Sequence, residues 1–345
     1  MKAETLLPLG KLDPGLRAPE KSLDYAKIGK DARLVDDLGY HALLMEETKD
    51  DPFQVLALAA SASERIKIGT SVAIAFTRSP FTLAQSAWTA QKISGGRFEL
   101  GIGSQVKGHI RRRHGLDWHS PVAWMVDYVG ALRAIWSSWQ NQSDLEYESR
   151  HYKLNLTVPL FTPAPLEFDS IPIYIAAVNP LMCNAAARIA DGVRLHPVCG
   201  EKYIREVLLP VIASEKNDKF EVCLKPLIAS ARNEAELGKR KETARQRLAF
   251  YLSTPAYSGA FGVYGLQDLC DEMNNLSREA RWEEMSARVS DDLLEEIAII
   301  ALYPDLAEKI KDRFGPILSR IEVSIPVDDE TDQEELSGIL MELGI

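Results

Sequence analysis

The chain predicts an α/β fold, a (β/α)8 or TIM barrel with insertions after strands four and seven. Two observations carry that expectation. Eight short segments rich in apolar and β-branched residues recur along the 345 residues, separated by stretches with helical spacing. Most units run about 25 to 35 residues, enough for a strand, its turns and a crossover helix. Eight units is the count of a closed barrel, although closure itself is not written in a sequence. An open doubly wound sheet shows the same alternation. No short-period repeat or low-complexity tract divides the chain, so residues 1–345 read as a single domain.

Taken in order, Glu4 to Leu7 is the first strand. Leu23 to Leu38 has helical spacing and stops at Gly39, a residue suited to closing a helix. His41 to Met45 is the second strand and delivers Glu46, Glu47 and Thr48 to its carboxyl end. Asp51-Pro52 opens a helix from Phe53 to about Ser63, because aspartate accepts from the first amides and proline suits the first turn. Ile66 to Phe76, IKIGTSVAIAF, is nearly unbroken and β-branched, as a strand buried on both faces should be. Ser79-Pro80 caps a helix from Phe81 to Ile93. Gly95-Gly96 is a turn, and Arg97 to Ile102 is the fourth strand. Gly101 and Gly103 leave its carboxyl end bare, open to a ligand or another backbone. A basic loop follows, with Lys107, His109, Arg111, Arg112, Arg113 and His114 inside eight residues.

The alternation pauses between Ser104 and Ser120. Met125, Val129, Leu132, Trp136 and Trp139 then form one helical stripe, and Tyr147 to Leu156 reads as a hairpin. Ile171 to Val178 is the fifth strand, with Asn179-Pro180 capping a helix that runs to Asp191-Gly192. Val193 to Pro197 is the sixth strand, Tyr203 to Ser214 a helix, and Phe220 to Ala231 the seventh strand. From Glu234 to about Phe314 the chain reads as helical and charge-rich. Ile317 to Ile325 is the eighth strand.

Composition narrows the function. Forty basic against fifty acidic residues give a net charge of −10. That balance argues against a general nucleic-acid or anionic-membrane surface. No apolar run reaches the ~20 residues of a membrane span, and the start has too short an apolar core for a signal peptide. Cys183, Cys199, Cys223 and Cys270 are scattered without CxxC spacing, as expected of reduced thiols in a cytoplasmic protein. The histidines lack ligand spacing, so no metal site is expected.

The runs IKIGTSVAIAF, RSPFTLAQSAW and SGGRFELGIGSQVKGHIRRRHG, with the later IAAVNP, ADG and LHP, resemble the bacterial luciferase-like oxidoreductases. The likeness covers about residues 20–230 and is nearest to the deazaflavin-linked members. It implies a (β/α)8 barrel that binds coenzyme F420, with FMN as the alternative. It also implies a cis non-proline peptide at Ser71-Val72 behind the cofactor ring, with Gly103 and Ser104 beside it. Ala177, Val178 and Asn179 match the place where backbone amides meet the cofactor phosphate, which suits the amides at a helix start. His196 and Cys199 match the second half of that region. Some relatives carry a lysine in place of Cys199, a part that Lys202 is positioned in sequence to take.

The chain departs from these relatives at the second-strand end. Several deazaflavin dehydrogenases place Asp-His where Glu47-Thr48 stand, and threonine exchanges no proton readily near neutral pH. Glu46 and Glu47 remain acid–base candidates if a dry pocket tunes a carboxyl upward. His109 is a third, since it matches a polar position facing the cofactor in relatives. Arg111, with Lys107, Arg112 and Arg113, suits the acidic tail of F420 or an acidic substrate. The resemblance therefore implies hydride transfer to or from a small organic substrate, by a homodimer or higher homo-oligomer. Were the cofactor FMN, it would imply a monooxygenase using molecular oxygen. A phosphate-binding aldolase or isomerase is a competing reading, with Lys225 on strand seven as its lysine. A non-catalytic relative of the family is another.

Overall fold

In the computed structural model, which describes residues 1–11 and 22–344, eight parallel strands close on themselves. They are β1 (Lys2–Leu6), β2 (Ala42–Met45), β3 (Lys67–Thr70, continued by Ala73–Ile74) and β4 (Phe98–Gly103). The second half is β5 (Ile173–Ala177), β6 (Gly192–Leu195), β7 (Glu221–Leu224) and β8 (Arg320–Glu322). Around the barrel the order is β3, β2, β1, β8, β7, β6, β5, β4, and the ring closes where Ile68 of β3 faces Phe98 of β4. The (β/α)8 expectation holds, and the doubly wound alternative falls with closure.

The local signals explain the helices that carry the strand ends. Asp51 accepts from the amides of Phe53 and Gln54, and Ser79 accepts from Thr82, each followed by a proline in the first turn. The helix Pro121–Asn141 fills the first insertion, with the small hairpin Tyr147–Glu148 and Lys153–Leu154 beyond it.

Four expectations need correction. The seventh strand is not continuous. It breaks at Lys225-Pro226, where proline has no N–H for a ladder, and Ile228–Ala231 leaves the barrel. That segment pairs instead with Ile299–Leu302, a strand inside the stretch read as helical from Glu234 to Phe314. The basic loop contains a short helix, Lys107–Arg112. The helix expected from Tyr203 to Ser214 is interrupted by a wide π turn at Ile204–Leu208. Pro210 lacks an N–H for the carbonyl of Glu206 and crowds it, so the turn opens around it.

Strand residues alternate between lumen and helix layer. Leu6, Ala42 and Leu44 pack together as an inner apolar cluster, apart from the large core between strands and helices. Toward the amino ends of the strands the lumen is ionic. Arg194 donates to Glu4 at 2.8 Å, and Arg320 donates to Glu4 at 3.0 Å and to Glu99 at 2.6 Å. Arg320 also reaches Glu221, which pairs with Lys2 at 3.1 Å. Three acids thus face three bases, which offsets the desolvation of each.

Candidate active site

The carboxyl ends of the strands gather most of the singled-out residues, as barrel geometry requires. Between β3 and β4 the register slips. Gly69 faces Glu99, but Ala73 faces Ile102, so β3 carries one extra residue between these pairs. This is a bulge. Within it the Ser71–Val72 peptide is cis, as the resemblance implies. The Thr70 hydroxyl bridges the broken ladder, donating to the Gly101 carbonyl at 2.6 Å and accepting from the Gly101 amide at 2.9 Å. Glycine is required opposite the bulge. A Cβ on Gly101 would lie 2.0 Å from the Thr70 carbonyl oxygen, and one on Gly103 would lie 2.8 Å from a Val72 methyl. Ser104 follows, half-buried, with its hydroxyl on the Gln105 carbonyl at 3.1 Å.

Glu46 and Glu47 have separate partners. On β2, Ala42 and Leu44 face the lumen, so Glu46 continues that face. On β7, Glu221 reaches into the lumen, and Lys225 continues its face. The two meet across the mouth at 2.9 Å, and Lys11 joins Glu46 at 2.6 Å. Burial by itself would raise the Glu46 carboxyl, but Lys225 and Lys11 more than reverse it and hold it down at about 2. The expected upward tuning is therefore corrected for Glu46, which is ionised at neutral pH. Glu47 accepts the Ile74 amide at 2.7 Å and binds Arg78 through both oxygens, at 2.7 and 2.6 Å. Arg78 also reaches Asp51 at 3.0 Å. Glu47 thus ties β2 to the residues just past the bulge.

The fifth and sixth strands close the other side. Asn179 accepts the Met182 amide at 3.0 Å and caps the helix Pro180–Ile189. Ala177 is buried, and the Val178 carbonyl accepts from the Tyr203 hydroxyl at 3.0 Å. His196 continues the lumen face of Arg194 and lies against Tyr251 and Tyr257, with ring centres 4.9 and 4.4 Å away. Cys199 is fully buried and its thiol is pushed up by that burial. Lys202 sits 5.7 Å over the Tyr264 ring.

The basic cluster stands on a short helix that follows the carboxyl end of β4. Lys107, His109, Arg111 and Arg112 are exposed on the short helix, and Arg113 donates to the Thr48 carbonyl at 3.2 Å. Sequence reasoning missed Lys11 and Arg78. The lumen-facing parity of Glu46 and Lys225 was readable, but which cation meets which acid across the barrel was not. Among the described residues no group of three or more His, Cys, Asp or Glu is arranged to hold a metal ion. No described helix is long and apolar enough to cross a membrane.

A closed parallel barrel with its polar side chains and glycine-bared face at the strand carboxyl ends is the architecture of the (β/α)8 enzymes. The chain belongs to the luciferase-like monooxygenase family, whose sequence model matches residues 7–318. An uncharacterized protein of Mycobacterium tuberculosis is 32% identical over 302 residues, covering 86% of this chain and 88% of that one. A putative coenzyme F420-dependent oxidoreductase of the same organism is 26% identical, over 77% of this chain and 81% of its own. Among solved structures, the F420-dependent tetrahydromethanopterin reductase of Methanopyrus kandleri superposes with a TM-score of 0.74. That pair is 19% identical, with 99% and 98% of the two chains covered, so it shows the shared fold.

Proposed function

We propose that this chain is a coenzyme F420-dependent oxidoreductase moving a hydride to or from a small organic substrate at the barrel mouth. The observation that carries this reading is the exposed cationic helix Lys107–Arg112 at the carboxyl end of β4. F420 bears an acidic tail beyond its phosphate, and guanidinium groups bind carboxylates through two parallel hydrogen bonds. FMN ends at its phosphate and gives that helix nothing to bind. The similarity to a relative named as a putative F420-dependent oxidoreductase supports the same cofactor.

The residues fit such a cofactor in three places. Ser71, Val72, Gly103 and Ser104 border the bare face for a flat ring. Ala177, Val178 and Asn179, with His196 on the next strand, stand where a helix start offers amides and a positive dipole end to a phosphate. Arg111 is the proposed tail contact. The deazaflavin itself supplies the hydride chemistry, so the chain's part is to shape, orient and balance charge. Glu46 is held ionised and both oxygens of Glu47 are engaged, which leaves His109 as the proposed proton-exchanging group. The reading takes the working protein as a homodimer or higher homo-oligomer.

The test is a parallel fluorescence titration of the purified protein with F420 and with FMN. Tighter binding of F420, weakened by Arg111→Ala, is the expected result. Tighter binding of FMN moves the assignment to an oxygen-using monooxygenase. Binding of neither sinks the cofactor assignment.

A further inference from the structure

Arg247 lies in the insertion after strand seven, one turn before Tyr251 on the helix Glu234–Leu252, so the two side chains share a face of that helix. Its guanidinium carbon stands 5.9 Å from the centre of the Tyr251 ring. That ring meets the His196 ring at 4.9 Å and lies 6.1 Å from Tyr257, which packs on His196 at 4.4 Å. His196 follows the carboxyl end of β6 on the lumen face, so this aromatic group joins the insertion to the barrel mouth. Arg247 is half-buried and its Nε is covered, yet Nε has no hydrogen-bond partner and no described carboxylate pairs with the guanidinium. Other half-buried arginines are served: Arg78 by Glu47 and Asp51, Arg97 by the Ala60, Ser63 and Ile66 carbonyls, and Arg313 by the Ala298 carbonyl. A covered guanidinium without an anion is costly, and one tyrosine ring offsets only part of that cost. A charge kept in this state points to a ligand rather than to stability.

We propose that Arg247 forms an oxyanion subsite at the barrel mouth, where its guanidinium binds a carboxylate of the substrate and the Tyr251, Tyr257 and His196 rings flank the flat body that carries it. The proposal rests on the reading of the mouth as the reaction site, and it adds a substrate class to that reading. With Nε covered, the terminal nitrogens are the accessible donors, and two parallel N–H bonds from that end match a planar carboxylate. The helix bearing Arg247 belongs to an insertion, the part of such barrels that sets substrate choice, whereas the proposed cofactor contacts come from the ends of β3 to β6. An uncharged ligand of the same shape leaves the guanidinium unpaired, so discrimination follows from the unmet charge as much as from the bonds made.

The experiment is calorimetric titration of the full chain, without added cofactor, with 4-acetylbenzoate and with 4-acetylbenzamide, which has the same shape and no charge. Wild-type protein is expected to bind the acid about tenfold more tightly. Raising the salt concentration should weaken the acid and leave the amide unchanged. Arg247→Met removes no hydrogen bond or ion pair and should bring the two ligands to within about twofold. Arg247→Lys should keep only part of the preference, because an ammonium cannot make the paired bonds. Should Arg247→Met fold poorly, the salt dependence and the lysine variant still decide the matter. Equal binding of both ligands by wild type, binding of neither, or a preference that survives Arg247→Met overturns the proposal. It is equally overturned if the methionine variant weakens F420 alone in a parallel fluorescence titration, because the charge then serves the cofactor. Failure of F420 to bind wild type while the preference for the acid persists removes the cofactor assignment and keeps the oxyanion subsite.

Discussion

At the end of β2 two neighbouring carboxylates meet different cations, because successive residues of a strand face opposite sides. Glu46 turns into the lumen toward Lys11 and Lys225, while Glu47 meets Arg78 and the Ile74 amide. The Glu46 pairing has a pH signature. Its carboxyl lies at about 2 in the folded chain against 4.5 for an ordinary glutamate, so its contribution is present above pH 4.5. That contribution is lost as pH falls toward 2. Glu46→Gln should cost roughly 3 kcal/mol at neutral pH, and the gap to wild type should shrink by more than half in urea melts near pH 3. A gap that stays constant with pH would mean the two lysines do not hold the carboxylate. His109 and Arg111 show the reverse case, where the residue types were legible but their exposure on a short helix was not.

At the scale of elements, the β3 bulge illustrates how local chemistry and neighbours combine. The run IKIGTSVAIAF announces a buried strand by its β-branched residues, and the glycines of FELGIG announce a bare one. Their consequence appears only when the two strands pair and Thr70 fills the break in the ladder. Gly101→Ala should therefore destabilise by about 2–3 kcal/mol, since the new methyl meets backbone rather than a movable side chain. Gly238→Ala is the contrasting substitution. It lies within the helix Glu234–Leu252 with nothing inside 4 Å of a new Cβ, and should stabilise by about 0.5–1 kcal/mol. Urea melts of both variants check the pair. Matching losses would show that the close approach at Gly101 is not the cause. The break of the seventh strand at Pro226 was a readable signal, but its apolar flanks concealed it.

For the molecule as a whole, closure places Arg194 and Arg320 among three acids inside the barrel. Residues far apart in sequence, such as Glu4, Glu99 and Arg320, form one balanced group only in the closed ring. Removing one partner leaves buried charge without compensation, so Arg320→Met should lower stability by about 3–5 kcal/mol. A melting midpoint unchanged from wild type would refute that role.

What the sequence determined by itself is the eight barrel strands and most helices, their caps and the family likeness, because these rest on local propensity, periodicity and short-range hydrogen bonds. It also determined which side chains reach the strand carboxyl ends. Tertiary structure alone decided closure, the exit of Ile228–Ala231 to pair with Ile299–Leu302, and the meeting of Lys11 and Lys225 at Glu46. Those depend on contacts between residues distant in the chain. In such contacts Coulomb attraction and burial, rather than local preference, choose the partner.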